Sequence, residues 1–266
     1  MTAPSPNRTY QRLRSHLTYL KLDAAAEALA SELDGADGNG HVEFFERLLS
    51  IEFDATDTRR RESRRRLAGL PADWRLTDFD TDAQPSVTDE LLRDLGTLRF
   101  ITDGGNILFI GPPGVGKTML AIGLGHAAID AGHRVYYTTA ADLVARCHKA
   151  AIEGRWANTM RFFAAPQLLI IDELGYLPMT GEAAASLFQV VNRRYAAGAS
   201  VVLTTNRGIS QWGEIFADPA VAAAMLDRLM HRSIIVPIDG DSYRMRTHQH
   251  HTNDLRKGLS TLTQRD

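Results

Sequence analysis

The residues best suited to do chemistry lie in the stretch GPPGVGKT at 111–118. It matches the pattern G-x-x-x-x-G-K-[ST] and lies between the apolar run NILFI and the helical stretch MLAIGLGHAAI, the context of a phosphate-binding P-loop. Backbone N–H groups would surround the β-phosphate of a nucleotide, Lys117 would reach its β and γ oxygens, and the Thr118 hydroxyl would ligate Mg²⁺. The predicted nucleotide-binding residues are Gly111, Pro112, Pro113, Gly114, Val115, Gly116, Lys117, Thr118 and Met119.

Two adjacent acids predict what happens to the bound nucleotide. Asp172 and Glu173 come at the end of the apolar run LLII. At the carboxyl end of a buried strand, Asp172 can hold the Mg²⁺ shell and Glu173 can polarise a water for attack on the γ-phosphorus. Such a pair is often only solvated. After a P-loop it favours hydrolysis, because phosphate binding alone does not need the second acid.

Two further polar residues could complete a hydrolytic site. Asn206 ends the run VVLTT, and its amide would lie beside the γ-phosphate, between the strands that carry the P-loop and the acids. We therefore predict a γ-phosphate sensor, although Asn at a strand end is usually a turn former. Arg228, in MLDRLMHR, is either a surface arginine or an arginine finger that completes a neighbouring subunit's site.

A basic run precedes these motifs. Residues 58–66 read TRRRESRRR, with six arginines and one glutamate in nine residues, a density that attracts phosphate. The alternative is a structural helix whose arginines pair with acids such as Asp54, Asp57 and Glu62. The predicted DNA-backbone contacts are Arg59, Arg60, Arg61, Arg64, Arg65 and Arg66.

The elements that must position these residues fall into two parts. Helical spacing of apolar residues, with Gly69 and a following proline as a stop, predicts a helical N-terminal module over 1–70. Residues 71–87, rich in Asp, Thr and Pro, are predicted to form a connector that packs its two aromatic residues, Trp74 and Phe79.

Residues 88–246 alternate apolar runs with helical stretches, which predicts an α/β domain around a parallel sheet buried on both faces. The five runs, each a predicted strand, are 106–110, 135–138, 168–171, 200–204 and 233–238. The tail at 247–266 has no periodicity and is predicted to be loosely ordered. Its histidines, at 248, 250 and 251, have no carboxylate or cysteine at ligand spacing, so we interpret them as polar tail residues rather than a metal site.

Composition excludes several classes of protein. The 266 residues carry 30 Lys and Arg against 32 Asp and Glu, with 44% hydrophobic residues, which excludes a disordered, collagenous or repeat-dominated chain. The apolar runs are too short to span a membrane. The single cysteine, Cys147, excludes an internal disulfide framework and fits a reducing compartment, so we expect a cytoplasmic protein. The acid-free first 22 residues leave a transit peptide as a less favoured alternative.

Taken together, the motifs resemble the IstB-like transposition helper ATPases of bacterial insertion sequences, relatives of the DnaC-type helicase loaders. The P-loop and the acid pair are shared by many ATPases, whereas DELGYLP, TTN, DRL and GDSYR in this order are more specific. Upstream, LKLDAAAEAL and the arginine-rich stretch are similar to the helical N-terminal module of that family.

The resemblance implies an AAA+ P-loop NTPase with ATP and Mg²⁺ as cofactors and most of the C-terminal helical lid missing. It implies ATP-dependent homo-oligomers that assemble on duplex DNA and recruit and stimulate a transposase. Asn206 would be the sensor and Arg228 the inter-subunit finger. Met119 replaces a histidine frequent in the family, a change we expect to be tolerated beyond the last phosphate contact. Arg244, in GDSYR, lies where a further sensor would be sought.

Two alternative functions are a helicase loader and a small-molecule kinase. A DnaC-like helicase loader would bind a replicative helicase and single-stranded DNA. It would differ from a transposition helper in the form of DNA that drives assembly, and in whether the N-terminal module binds a helicase or DNA. A small-molecule kinase is disfavoured, because the pair Asp172 and Glu173 with Arg228 suits water attack and subunit communication better than a substrate hydroxyl pocket.

Overall fold

The fold is seen in a computed structural model that describes residues 6–22, 26–27, 29–30, 39–176, 178–179, 181–216 and 218–243. The chain divides into two compact units, Met1–Ser63 and Arg64–Asp266. The division falls inside a long helix, and Ala68, near the end of that helix, is fully buried in the core of the second unit. The domain bounds at residues 70 and 87 stay predictions.

The first unit is helical, as the apolar spacing predicted. Helix α1 (Pro6–Tyr19) precedes α2 (Asn39–Ala68), which runs through the boundary. Leu13 and Leu17, four positions apart, share one face of α1, and they form a small buried cluster with Ala26.

The second unit contains one parallel sheet of five strands, each at a predicted apolar run. The strands are β1 (Asn106–Ile110), β2 (Val135–Thr139), β3 (Leu168–Leu174), β4 (Ser200–Thr205) and β5 (Ser233–Pro237). The helices described in this unit are α3 (Asp89–Gly96), α4 (Arg99–Thr102), α5 (Lys117–Asp130), α6 (Ala140–Ile152), α7 (Trp156–Ala164), α8 (Glu182–Ala196), α9 (Trp212–Phe216) and α10 (Pro219–Met230).

Both faces of the sheet are buried. Along β1, Leu108 belongs to the apolar cluster on one face, while Ile107 and Phe109 belong to the cluster on the other. Alternation of side chains across a strand explains this split, and helices cover both faces, so the central strands carry apolar residues on both sides. None of the helices in the described residues is long and apolar enough to cross a membrane.

The strand order is β2-β3-β4-β1-β5. Strand β4 therefore lies between β1, which leads into the P-loop, and β3, which carries the acids. All pairings are parallel, so the carboxyl ends of these three strands meet at one edge of the sheet. This is the edge at which open α/β sheets bind ligands.

A buried arginine secures the opposite edge. Arg194, in α8, is fully buried and donates hydrogen bonds to the carbonyl oxygens of Phe163 at 2.8 Å, Pro166 at 3.0 Å and Ser200 at 2.5 Å. Burial lowers the pKa of its guanidinium to about 9. The bonds to carbonyl groups satisfy donors on both terminal nitrogens of the guanidinium and tie α8 to the starts of β3 and β4.

Candidate nucleotide site

The P-loop connects β1 to α5, and two of its glycines are required by geometry. Gly114 and Gly116 have φ of 87° and 98°, a region that side chains rarely adopt. A Cβ atom would also collide with Ser242 at Gly114 and with Phe79 at Gly116. The loop is thus enclosed by the connector on one side and by the chain beyond β5 on the other.

The enclosing segments also bind each other. Gln84 Nε2 donates to the carbonyl oxygen of Asp241 at 3.2 Å, and Ser86 Oγ donates to that of Asp239 at 3.3 Å. Tyr243 N–H donates to the Gly114 carbonyl oxygen at 3.0 Å. Residues far apart in the sequence therefore form a common wall around the loop.

Lys117 begins α5 and turns back over the P-loop. Its ammonium group donates to the carbonyl oxygens of Gly111 at 2.7 Å and Pro112 at 2.6 Å. These bonds keep the charge within the loop, where a bound phosphate would contact it.

Asp172 lies at the centre of a hydroxyl network. It is 2% exposed. Its Oδ1 accepts hydrogen bonds from Thr118 Oγ1 at 3.1 Å and from the Thr204 hydroxyl, while its Oδ2 accepts from Tyr137 OH at 2.7 Å. The carboxylate is fixed through both oxygens, beside the hydroxyl of Thr118.

The pair Thr118 and Asp172 fits Mg²⁺. Their oxygens are hard ligands, and Mg²⁺ usually takes only one or two protein ligands, with waters and phosphates supplying the rest. Among the residues that the structure describes, no group of three or more His, Cys, Asp and Glu side chains could hold a metal on its own. A site completed by nucleotide phosphates agrees with both observations.

Glu173 is aimed by an irregularity in the sheet. The pairing of β3 with β4 shifts register between Ile171 and Leu174, and Glu173 has φ of 63°. Its N–H donates to Thr204 Oγ1 at 3.0 Å. Bulges commonly re-aim a side chain next to an active site. Here the exposed Glu173 borders the P-loop cavity while its neighbour Asp172 stays buried.

Asn206 follows β4, the strand that lies between β1 with the P-loop and β3 with the acids. It borders the same cavity, and its side-chain oxygen is buried without a hydrogen-bond partner. Buried polar atoms normally find a partner. The arrangement therefore suits a residue whose hydrogen bonds are completed by a ligand or by water.

The cavity has a volume of about 310 Å³. It brings together the P-loop from Pro113 to Met119 with Glu173 and Asn206. Four aromatic side chains also border it, namely Trp74, Phe79, Tyr176 and Tyr243. A cradle of backbone N–H groups beside aromatic surface suits a ligand that has both phosphates and a flat ring system.

Arg228 lies elsewhere, in α10. It borders a separate cavity of about 530 Å³ together with residues that precede β1, β4 and β5. Its Nε donates to Asn192 Oδ1 at 2.7 Å, and its guanidinium carbon lies 4.9 Å from the centre of the Phe188 ring. Arg228 therefore has no place in its own subunit's P-loop cavity, and both interpretations of the sequence remain open.

Arg61 and Arg65 of the basic run form ion pairs. Arg61 contacts Asp57 at 2.7 Å, as the structural alternative expected, and Arg65 contacts Asp130 at 2.9 Å. Asp130 also contacts Arg75 at 2.6 Å. Its pKa is lowered despite desolvation, because hydrogen bonds from Arg75 and Arg65 favour the carboxylate.

The other four arginines differ in exposure. Arg60 lies 4.4 Å above the Tyr19 ring. Arg59 and Arg66 are exposed, and Arg64 is partly buried. A role of the six arginines in DNA binding stays a prediction.

Two residues of the site were missed from the sequence, Tyr137 and Thr204. Both lie near the carboxyl ends of their strands, β2 and β4, and this was the signal that could have found them. Arg244, the histidines of the tail and residues 247–266 as a whole lie outside the described residues.

Comparison with known proteins gives matches over most of the chain. A family described as "IstB-like ATP binding protein" matches residues 15–251. The chain is 42% identical over 238 residues to a protein of insertion sequence IS5376 from Geobacillus stearothermophilus, covering 89% of this chain and 94% of that protein. It is 40% identical over 231 residues to one of insertion sequence IS21 from Pseudomonas aeruginosa, covering 87% and 84%. Both relatives are named for ATP binding.

Solved structures share the fold at low identity. AMPPCP-bound DnaA from Aquifex aeolicus matches with a TM-score of 0.54 and 19% identity, over 70% of this chain and 56% of that one. DnaI matches with a TM-score of 0.53 and 16% identity, over 62% and 91%. These similarities concern the fold alone, and they confirm the predicted AAA+ architecture.

Proposed function

Because the chain belongs to the IstB-like ATP-binding family, we propose that it is an AAA+ ATPase that acts as a helper in the transposition of an insertion sequence. The observation that carries hydrolysis is the convergence of Lys117, Glu173 and Asn206 on one P-loop cavity, with Asp172 buried behind it.

The residues divide the work of hydrolysis among them. Lys117 and the loop N–H groups bind the phosphates, and Thr118 with Asp172 would hold Mg²⁺. When bound, Mg²⁺ supplies charge neutralisation at the β and γ oxygens. Glu173 accepts a proton from the attacking water, and the oxygen of that water bonds to the γ-phosphorus. The bond between the γ-phosphorus and the β–γ bridging oxygen breaks, so that ADP leaves, while Asn206 orients the transferred group. The products are ADP and phosphate.

A neighbouring copy would complete this site. Arg228 borders a cavity of its own subunit that is different from the P-loop cavity. In the proposed assembly, its guanidinium would reach the nucleotide of a second subunit. An arginine supplied in this way contributes about 10³-fold or more to turnover. Hydrolysis would then depend on assembly, which links nucleotide state to oligomer lifetime.

The partners proposed are duplex DNA and a transposase. The relatives' names connect them with insertion sequences, which favours this role over that of a helicase loader. The exposed arginines Arg59 and Arg66 are suited to contact phosphates without reading base sequence.

Assembly on DNA tests the proposal. The full chain is mixed with a non-hydrolysable ATP analogue and either a long duplex or a single strand of equal length, and complexes are sized by electron microscopy and sedimentation. We expect oligomers on the duplex only when the ATP analogue is present. Oligomers on single strands alone would support a helicase loader instead. No assembly with either DNA would overturn the proposal.

A further inference from the structure

The second oxygen of Asp172 is bound by a residue that none of the predicted roles includes. We infer that Tyr137, through its hydroxyl, is a positioning residue for the Mg²⁺ site of the proposed ATPase. The inference rests on the proposed function, because it concerns the same carboxylate.

The geometry shows what the hydroxyl does. Tyr137 OH donates to Asp172 Oδ2 at 2.7 Å, while Oδ1 takes the hydroxyls of Thr118 and Thr204. Donors on both oxygens prevent the carboxylate from rotating about its Cβ–Cγ bond. Oδ1 is thereby held beside Thr118, the residue expected to ligate the metal directly.

Burial makes this contact hard to replace. Asp172 is 2% exposed, so an oxygen that lost its donor would not regain one from bulk water without rearrangement. Hydrogen bonds to a charged partner are also stronger than neutral ones. A missing phenol would therefore leave the carboxylate free to turn away from Thr118.

Tyr137 is itself held in place. It lies on β2 two positions before Thr139, the residue that pairs with Asp172, and its ring packs against the buried cluster that includes Phe109 and Ile170. Burial, and then the hydrogen bond to Asp172, raise the pKa of its hydroxyl. The pairing of β2 with β3 therefore holds the ring in place, with its hydroxyl beside Asp172.

The test measures binding and needs no turnover. The affinity of the full chain for a fluorescent, non-hydrolysable ATP analogue is measured with Mg²⁺ and with a chelator, which gives the factor by which Mg²⁺ tightens binding. We expect Tyr137→Phe to reduce this factor roughly 3- to 30-fold and to leave the affinity in chelator unchanged within about twofold.

The neighbouring tyrosine provides a matched control. Tyr136 OH accepts a hydrogen bond from Arg146 at 3.2 Å, and Tyr136 does not border the P-loop cavity. Tyr136→Phe removes the same atom from the same strand and is expected to keep the native Mg²⁺ effect. A loss in this variant equal to that in Tyr137→Phe would overturn the inference.

The remaining outcomes are separable. A native protein that binds nucleotide no better with Mg²⁺ than with chelator would contradict the proposed function itself. If Tyr137→Phe keeps the native Mg²⁺ effect, the role of Tyr137 is wrong while the proposed function stands. The same holds if its affinities with Mg²⁺ and with chelator fall by the same factor. If the phenylalanine variant does not fold, two other variants test the inference. Tyr137→4-fluorophenylalanine, which has no donor, must lower the factor by which Mg²⁺ tightens binding. Tyr137→4-aminophenylalanine, which restores a donor, must keep that factor.

Discussion

Replacing Glu173 by glutamine isolates the chemical step from nucleotide binding. The Glu173 side chain borders the P-loop cavity, and its backbone N–H bonds to Thr204 at 3.0 Å. Glutamine has nearly the same size and keeps the backbone bond. The change therefore removes a basic oxygen and little else, and Asp172 retains its hydroxyl partners.

The expected size of the effect follows from the role of a general base. Its loss lowers turnover by about 10² to 10⁴, equivalent to about 2.7 to 5.4 kcal/mol in the barrier at 1.36 kcal/mol per factor of ten. Binding of ATP should change by no more than about twofold, because Lys117 and the loop N–H groups that would hold the phosphates are unaltered.

Rapid-quench measurement of a single turnover, paired with fluorescence titration of the nucleotide, separates the two quantities. Glu182→Gln is the matched control, since the Glu182 side chain is 90% exposed at the start of α8 and does not border the cavity. Hydrolysis by Glu173→Gln at the native rate would refute the assignment of the base. Equal loss of binding and turnover would place Glu173 in nucleotide binding instead.

Two further predictions concern assembly and DNA. Lys117→Ala should abolish ATP binding, and Arg228→Ala should abolish turnover. An equal mixture of the two variants should recover part of the activity, because about one in four interfaces would join an intact P-loop to an intact arginine. If subunits shown to co-assemble recover no activity, Arg228 is not an arginine finger. Replacing Arg59 and Arg66 together by Gln should reduce the slope of log K against log salt for duplex DNA by about 1.8 per bound subunit. For this second prediction, a native slope with assembly intact would place the DNA surface elsewhere.

The sheet and the P-loop were predictable because local sequence determines them. The five apolar runs became the strands, since only strands buried on both faces are apolar without alternation. The position of Asn206 between the P-loop and the acids was likewise predicted, and the strand order is consistent with it. The P-loop motif and the acid pair identified the site residues, and parallel pairing of the strands brought most of them to the carboxyl edge of the sheet.

Contacts between distant residues could not be predicted in the same way. Tyr137 reaches Asp172 only because β2 and β3 pair in a particular register, which no local pattern specifies. Arg65 pairs with Asp130, which lies 65 positions away at the end of α5. A run of charges reveals attraction for anions, but the partner of each charge depends on the tertiary fold.

The wall around the P-loop also bears on where a minimal ATPase can begin. Phe79 packs on Gly116, and Gln84 and Ser86 bind the chain beyond β5, so these residues are part of the nucleotide site although they precede the predicted domain start at residue 88. A fragment cut at that point would lack one side of its own binding cleft. Domain exchange between relatives should therefore place the junction upstream of Trp74, so that the cleft is inherited as one piece.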